Sequence, residues 1–288
     1  MEQDTPELSR RQLLAAITMT SLGGLAKGTL VNEPKRMTRP GADRRSRVVT
    51  FDAKVSRDGQ QAATMRISVD VATTAVIVCD MQNEFGAKGG MFDRAGIDIS
   101  MIQRAVGPTA NVLAAARRAG VQIVYLKMGF RPDLSDLGAS ESVNRVRHLE
   151  KFKVGQTIRA PDGRMGRILI RDNWGTDIVA ELTPQAADVV VYKHRFSGFY
   201  ETELDAALKR LEAKHLIFTG CTTSVCVEST IRDAMFRDYL PVLLADCTGE
   251  PIGHHFPRSN HEASLLSIEA LLGWVSGSEE FVKALESV

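Results

Sequence analysis

The stretch TGCTTSVCVE, residues 219–228, connects a predicted strand to a predicted helix. The short apolar run at residues 215–218 precedes it, and the Thr-Gly pair after that run marks a tight turn. Every fourth residue from 227 to 235 is apolar, a spacing that predicts one face of a helix. Cys226 therefore lies where a strand–turn–helix connection enters its helix.

Two interpretations of Cys226 follow from this position. The positive end of a helix dipole and the free N–H groups of the first turn both favour the thiolate, the nucleophilic form of cysteine. Free cysteine is also commonly buried as a small apolar side chain. This stretch alone leaves both interpretations open.

Two other segments favour the nucleophile. Residues 74–80 form a continuous apolar run that ends in Asp80, and residues 188–193 form another that ends in Lys193. In an open parallel sheet, sites form beyond the carboxyl ends of the strands. We therefore expect Asp80, Lys193 and Cys226 at one edge, as a base, an ammonium that lowers the thiol pKa, and a nucleophile.

The order of the apolar segments predicts the fold class. Strands that alternate with helical patterns are predicted at residues 74–80, 121–126, 188–193, 215–219 and 241–246. The alternation indicates an α/β fold, a doubly wound and mainly parallel sheet with helices on both faces in three Rossmann-like layers.

Three further segments complete the predicted architecture. Alternating stretches between residues 48 and 71 predict a hairpin at the sheet edge. A helix is predicted from Ser100 to its stop at Gly120. Residues 128–182 are too long for an ordinary connection, and we expect a part-helical flap over the active-site edge.

Length, composition and charge limit the class of protein. The chain of 288 residues suits one α/β domain at residues 48–288, preceded by a tail at residues 1–47. Hydrophobic residues make up 44% and charged residues 25%, as in soluble globular proteins. The net charge of +1 argues against a dedicated nucleic-acid-binding protein.

The tail resembles a twin-arginine export signal. SRRQLL at residues 9–14 precedes a short, uncharged and moderately apolar run at residues 15–26. This run is too short to span a bilayer, so no stable membrane anchor is expected. The alternatives are a solvated extension or a start codon assigned too early. The expected location is the periplasm if the signal acts, and otherwise the cytoplasm.

Three motifs together resemble those of one enzyme family. VIVCDMQNEF at residues 76–85, KHRFSGFYETELD at 193–205 and GCTTSVCVESTIRDA at 220–234 are similar to the signature segments of the isochorismatase-like cysteine hydrolases. The resemblance extends over residues 72–281. Within the family, the chain is most similar to ureidoacrylate amidohydrolase-type members.

The resemblance implies roles for specific residues. Cys226 would attack an amide-type carbonyl and form a thioester acyl-enzyme, Asp80 would carry the proton to the leaving nitrogen, and Lys193 would hold the thiolate and Asp80. The backbone N–H groups of Thr222 and Cys226 would form the oxyanion hole. A cis peptide bond would join Cys221 to Thr222.

The resemblance also suggests a substrate pocket. The substrate-binding candidates are Gln82, Phe85, Phe130, Phe196, Phe199 and Tyr200. The ureidoacrylate-type pattern has Asn and Trp where this chain has Met128 and Phe130, and Asn in place of Ser224. These departures predict a related but different small amide or ureide substrate.

No cofactor or metal is expected. The nicotinamidase-like D-x-H-x-x-H pattern is missing, because residues 127–137 contain no histidine. Isochorismatase itself, which lacks the thiol, is disfavoured by Cys226. A homo-oligomer is expected by analogy, with residues 271–275 as its contact patch. The alternative function is a non-catalytic ligand-binding or accessory protein of the same fold.

Overall fold

A computed structural model describes residues 46–55 and 63–288. The export signal expected at residues 9–26 and all but the last two residues of the predicted tail lie outside the described residues. No helix in the described part of the chain combines the length and apolar character needed to span a bilayer.

An eight-stranded sheet forms the centre of the domain, in the order β2-β1-β10-β9-β8-β3-β4-β7, and a separate two-stranded hairpin pairs β5 with β6. The strands are β1 (Val48–Val55), β2 (Ala63–Asp70), β3 (Thr74–Cys79), β4 (Gln122–Met128), β5 (Thr157–Arg159), β6 (Met165–Arg167), β7 (Val189–Lys193), β8 (His215–Cys221), β9 (Leu240–Gly249) and β10 (Trp274–Ser276). From β10 to β7 the neighbours are parallel, whereas β1 pairs antiparallel with both β2 and β10.

Helices cover both faces of the sheet. They are α1 (Asn83–Gly86), α2 (Met91–Arg94), α3 (Ser100–Ala119), α4 (Val143–Glu150), α5 (Leu204–Arg210), α6 (Glu228–Met235), α7 (Asn260–Ser267) and α8 (Ser278–Glu286). Short 3-10 turns lie at Val71–Thr73, Trp174–Thr176 and Ala180–Leu182, and π-helical turns at Thr223–Val227 and Ile268–Leu272.

The apolar run of β3 is explained by burial on both faces. Val76 and Val78 join the apolar cluster that includes residues of α3 and α8, while Ala75 and Ile77 join the cluster that includes residues of α5 and α6. Every side chain of β3 is buried, so the strand is a continuous apolar run instead of an alternating one. The predicted fold class is confirmed.

Several predicted elements are confirmed in detail. The hairpin β1–β2 lies at the sheet edge, as expected for residues 48–71. Helix α3 begins at Ser100 and ends at Ala119, where Gly120 adopts the left-handed conformation (φ 79°) that glycine tolerates at a helix end. Residues 128–182 are part-helical, with α4, the β5–β6 hairpin and two 3-10 turns.

The C-terminal region differs from the prediction. Strand β10, which has only three residues, enters the sheet between β9 and β1, and α8 follows it. Val275 and Leu272 are therefore buried. Leu271 is the one aliphatic residue of the expected contact patch that projects outward, with 79% of its surface exposed. Most of the contact patch predicted at residues 271–275 therefore belongs to the core, and self-association of the chain stays a prediction.

Candidate active site

The end of β8 packs against the end of β3 through a glycine. Gly220 has φ 114°, and a Cβ there would lie 2.0 Å from the carbonyl oxygen of Cys79. Only glycine allows this close approach in this conformation. Next to it, the Cys221 thiol donates to the backbone oxygen of Asp80 over 3.1 Å. The ends of the two strands are therefore held together at the sheet edge.

The chain then turns toward Cys226. The peptide bond between Cys221 and Thr222 is cis. The Thr222 carbonyl accepts hydrogen bonds from the N–H groups of Val225 (3.1 Å) and Val227 (3.2 Å). We call residues 221–226 the nucleophile turn. It leads through a π-helical turn into α6.

Asp80 and Lys193 form a buried ion pair at the same edge. Lys193 Nζ lies 2.7 Å from Asp80 Oδ2, and the two side chains are 0% and 1% exposed. Lys193 Nζ also donates to the Arg195 carbonyl (3.2 Å) and lies 3.7 Å from Met128 Sδ. Burial alone lowers the pKa of Lys193, but the nearby Asp80 and Cys226 outweigh it and raise this pKa, so the side chain is an ammonium.

The Cys226 thiol interacts with both members of the ion pair and is 7% exposed. The structure therefore brings together the three residues predicted from separate strand ends. Burial raises the pKa of Cys226, the Lys193 charge lowers it, and the Asp80 charge raises it, with a net increase. The Lys193 ammonium thus lowers the thiol pKa as predicted, but desolvation outweighs this effect, so the thiol and not the thiolate is favoured.

Three of the proposed pocket residues have other roles. The Gln82 side-chain NH2 group donates to the carbonyls of Met128 (2.9 Å) and Thr176 (3.1 Å). The side-chain oxygen of Gln82 accepts the N–H of Met128 (2.7 Å). Phe85 is buried edge-on against Phe92 (5.0 Å between ring centres). The polar groups of Gln82 are bonded to the protein and the Phe85 ring is packed in the core, so neither side chain is placed to contact a substrate directly.

Phe199 is likewise a core residue. It is buried in the apolar cluster that contains α5 and α6, where it stacks on Tyr239 at 5.9 Å between ring centres. The Arg237 guanidinium covers the ring at 4.9 Å. The ring of Phe199 is therefore occupied by protein contacts in this packing, and a substrate contact by Phe199 stays a prediction.

The three remaining aromatic candidates differ in exposure. Phe130 is fully buried, whereas Phe196 and Tyr200 are 44% and 47% exposed. Phe130 and Phe196 both pack against the His148 ring, at 5.2 and 6.1 Å between ring centres. Tyr200 stacks near the Arg195 guanidinium (5.5 Å). A substrate contact by these three residues stays a prediction.

Sequence analysis missed His148, which belongs to α4 in the segment 128–182. Its Nδ1 lies 2.6 Å from the Asn144 carbonyl, which can only accept, so Nδ1 carries the proton and Nε2 is an acceptor. Burial lowers the pKa of His148, and the charges of Lys193 and Arg195 lower it further. No motif surrounds this residue, so the sequence offered no signal for it.

The departure at Ser224 also has a different meaning from the one expected. Its N–H and hydroxyl both donate to the carboxylate of Glu250, over 2.8 and 2.6 Å. Ser224 is therefore bonded to the protein, and Glu250 is a second residue that sequence analysis missed.

A polar cleft of about 360 Å³ is lined in part by His194 and Arg195, which follow Lys193 in the chain. Its lining residues are Arg131, Ser135, Asp136, Gly138, His194, Arg195 and Glu201. Because the Arg195 carbonyl accepts from Lys193, the cleft wall is one hydrogen bond away from the buried pair. Within residues 46–55 and 63–288, no three His, Cys, Asp or Glu side chains are grouped as metal ligands would be.

Comparison with known proteins places the chain among hydrolases. It is 39% identical to the ureidoacrylate amidohydrolase of Serratia proteamaculans over 212 residues, which cover 74% of this chain and 82% of that protein. It is also 39% identical to the ureidoacrylate amidohydrolase of Methylorubrum extorquens over 221 residues, 77% of this chain and 86% of that protein.

Solved structures share the fold. A cysteine hydrolase from Pseudomonas syringae has a TM-score of 0.62 and 29% identity, with 76% of this chain and 95% of that chain covered. An N-carbamoylsarcosine amidase from Thermoplasma acidophilum has a TM-score of 0.52 and 25% identity, covering 72% and 98%. The model of the isochorismatase domain matches residues 74–280. The chain thus belongs to the isochorismatase family.

Proposed function

We propose that this protein is a cysteine-dependent amidohydrolase that cleaves a C–N bond of a small ureide or amide through a thioester acyl-enzyme. Its class, a hydrolase of carbon–nitrogen bonds in amides, follows from its relatives. The cysteine mechanism rests on one observation. The Cys226 thiol interacts with a buried Asp80–Lys193 ion pair, in which Nζ and Oδ2 are 2.7 Å apart.

The protonation states suggest how the nucleophile forms. Because burial and Asp80 raise the thiol pKa, Cys226 rests as a thiol. As the sulfur bonds to the carbonyl carbon, the thiol proton passes to Asp80 and the carbonyl π electrons move to oxygen. The charge then lies on the oxyanion, where the N–H groups of Thr222 and Cys226 are proposed to stabilise it.

Collapse of this intermediate uses the same proton. Asp80 returns it to the leaving nitrogen as the C–N bond breaks, which an amide needs because its nitrogen leaves poorly without protonation. Water then attacks the thioester, losing a proton to Asp80, and the sulfur leaves and is reprotonated. Throughout, Lys193 is proposed to stabilise the ionised form of Asp80 and hold it beside the thiol.

The substrate class is inferred from the relatives and the departures together. Ureidoacrylate and N-carbamoylsarcosine, named for relatives, both carry a carbamoylated nitrogen. Here the Met128 thioether lies against the catalytic ammonium, in place of the amide of the ureidoacrylate-type pattern. We therefore propose a ureide or amide with a less polar group at this position, which approaches through the cleft beside Arg195.

A substrate screen with matched variants tests the proposal. Ammonia release from a panel of small ureides and amides is measured for the wild type and for Cys226→Ala, Asp80→Asn and Lys193→Met. Cys247→Ala is the control, because this buried cysteine lies outside the site. Acid-quenched enzyme is examined by mass spectrometry for an acyl adduct on Cys226. Full turnover by Cys226→Ala would refute the mechanism.

A further inference from the structure

Glu250 is a fully buried carboxylate that follows directly on β9. Its Oε2 accepts both the N–H (2.8 Å) and the hydroxyl (2.6 Å) of Ser224, and its Oε1 accepts the N–H of Ile252 (3.0 Å). The Thr222 side chain is a further hydrogen-bond partner. Two of its partners, Thr222 and Ser224, belong to the nucleophile turn.

The electrostatics of Glu250 are unusual for a buried acid. Among the described residues, no lysine, arginine or histidine pairs with it, so hydrogen bonds alone compensate its burial. Burial raises the pKa of Glu250, and the bonds from Ser224, Ile252 and Thr222 oppose this increase. A buried carboxylate with several donors is fixed in position, because any movement leaves a donor or the charge without a partner.

The position of Ser224 makes this bond relevant to the chemistry. Ser224 lies between the cis peptide at Cys221 and the thiol of Cys226. Two side-chain bonds reach this region from α7: His261 Nδ1 lies 3.0 Å from Thr223 Oγ1, and Ser264 bonds to Glu228. From α6, the Thr230 hydroxyl donates to the Cys226 carbonyl over 2.6 Å. Of these groups, Glu250 alone binds a backbone N–H within the turn.

We propose that Glu250 is a positioning residue for Cys226: it fixes the nucleophile turn so that the thiol faces Asp80 and Lys193. This inference rests on the proposed function of the same site. In this inference the Ser224 hydroxyl binds the Glu250 carboxylate and does not bind the substrate. Glu250 touches no reacting atom and acts only through the geometry of the turn.

Glu250→Gln is the principal test. An amide has the same shape, but in either orientation its NH2 group faces an N–H of Ser224 or Ile252, so one of these bonds is lost. A misplacement of about 1 Å at an active site can cost about 100-fold in rate. We expect kcat to fall by about 10- to 100-fold, with KM changed by less than about 3-fold.

Two further variants complete the design. Ser224→Ala removes the hydroxyl bond and keeps the N–H bond, so a smaller loss of kcat, about 2- to 5-fold, is expected at unchanged KM. Glu269→Gln is the matched control, because Glu269 is another buried carboxylate that is affected by Lys54 and not by the nucleophile turn. It should retain wild-type kcat.

The outcomes separate positioning from other roles. An unchanged kcat in Glu250→Gln, or an increased KM at unchanged kcat, overturns the proposal, and so does an equal loss in Glu269→Gln. If Glu250→Gln does not fold, Ser224→Ala decides by the same criteria.

If the wild type hydrolyses nothing, the proposed function fails, but alkylation of Cys226 by iodoacetamide still tests positioning. A loosened turn should expose the thiol and raise its alkylation rate at least about 3-fold in Glu250→Gln only; equal rates overturn the proposal.

Discussion

The two charges beside Cys226 change its pKa in opposite directions, which gives a sharp test of the site. Asp80 raises the thiol pKa and Lys193 lowers it. Asp80→Asn should therefore lower the pKa and speed alkylation by iodoacetamide at a fixed pH, because more thiolate is present. Lys193→Met should raise the pKa and slow alkylation. Both variants should nevertheless lose hydrolysis by about 100-fold or more, since proton transfer by a positioned group contributes about 10²–10⁴-fold.

The magnitude follows from the proximity of the charges. A charge within about 4–6 Å changes a pKa by about 1–3 units, so the thiolate fraction changes about 10- to 1,000-fold at a pH well below the pKa. Thiolate nucleophilicity falls with pKa, with a Brønsted slope of about 0.4–0.5, which cancels nearly half of the effect on a logarithmic scale. The expected change in alkylation rate is thus about 3- to 50-fold in each direction.

The assay is alkylation at several pH values, followed by digestion and mass spectrometry of the peptide that contains Cys226. Wild-type alkylation should continue to rise above pH 8.5, roughly the ordinary pKa of a free cysteine, because the pKa of this thiol is raised. Cys247, whose pKa is raised to about 12 by burial, serves as an internal reference that neither variant should affect. Slower alkylation in Asp80→Asn than in the wild type, or shifts of the same sign in both variants, would refute the reasoning.

Three other predictions concern the supports of the site and the tail. Gly220→Ala should cost more than the roughly 1–3 kcal/mol typical of an overpacked site, measured by denaturant unfolding, because its Cβ would lie 2.0 Å from a backbone oxygen. Gln82→Leu removes the side-chain hydrogen bonds to Met128 and Thr176 and should loosen the segment 128–182, which limited proteolysis would detect as faster cleavage there. Unchanged cleavage would contradict a role of these bonds in holding the segment. We also propose export of the chain, so Arg10→Lys/Arg11→Lys should retain it in the cytoplasm on cell fractionation; equal distribution would exclude a twin-arginine signal.

The sequence was sufficient to predict the convergence of the three central residues. Asp80 and Lys193 each end an apolar run, and Cys226 follows a third. Parallel strands place their carboxyl ends at one edge, so this rule fixes the edge without any knowledge of side-chain packing. The observed pair distance of 2.7 Å between Asp80 and Lys193 agrees with it.

Properties that depend on packing could not be predicted in the same way. The direction of the thiol pKa depends on how completely Cys226 is desolvated, and the aromatic residues near the motifs differ only in burial. Phe85 and Phe199 are core residues and Phe196 is exposed, although all three lie within or beside a motif. Beyond the end of a strand the alternation of side chains stops, so the sequence of a motif does not tell which of its residues face the core and which face solvent.

Glu250 was missed because the predicted strand ended too early in the sequence. The predicted strand ended at Asp246, but β9 continues through Cys247 and Thr248 to Gly249, and Glu250 follows its last residue. A polar residue directly after a buried parallel strand is the signal that identified Asp80. The miss is therefore an error in the strand boundary, because the polar pair at 246 and 248 resembles the end of a strand.

The charges at the buried edge explain why Cys226 rests as a thiol. An ionised Cys226 beside the Asp80 carboxylate would place two negative groups in the interior against the single ammonium of Lys193. Burial opposes such an excess of charge, in agreement with the raised thiol pKa. Transfer of the thiol proton to Asp80 leaves the number of negative groups unchanged, because the charge that Asp80 loses appears on the sulfur and then on the oxyanion. The nucleophile is therefore best formed during attack, when the substrate carbonyl is present to accept the charge.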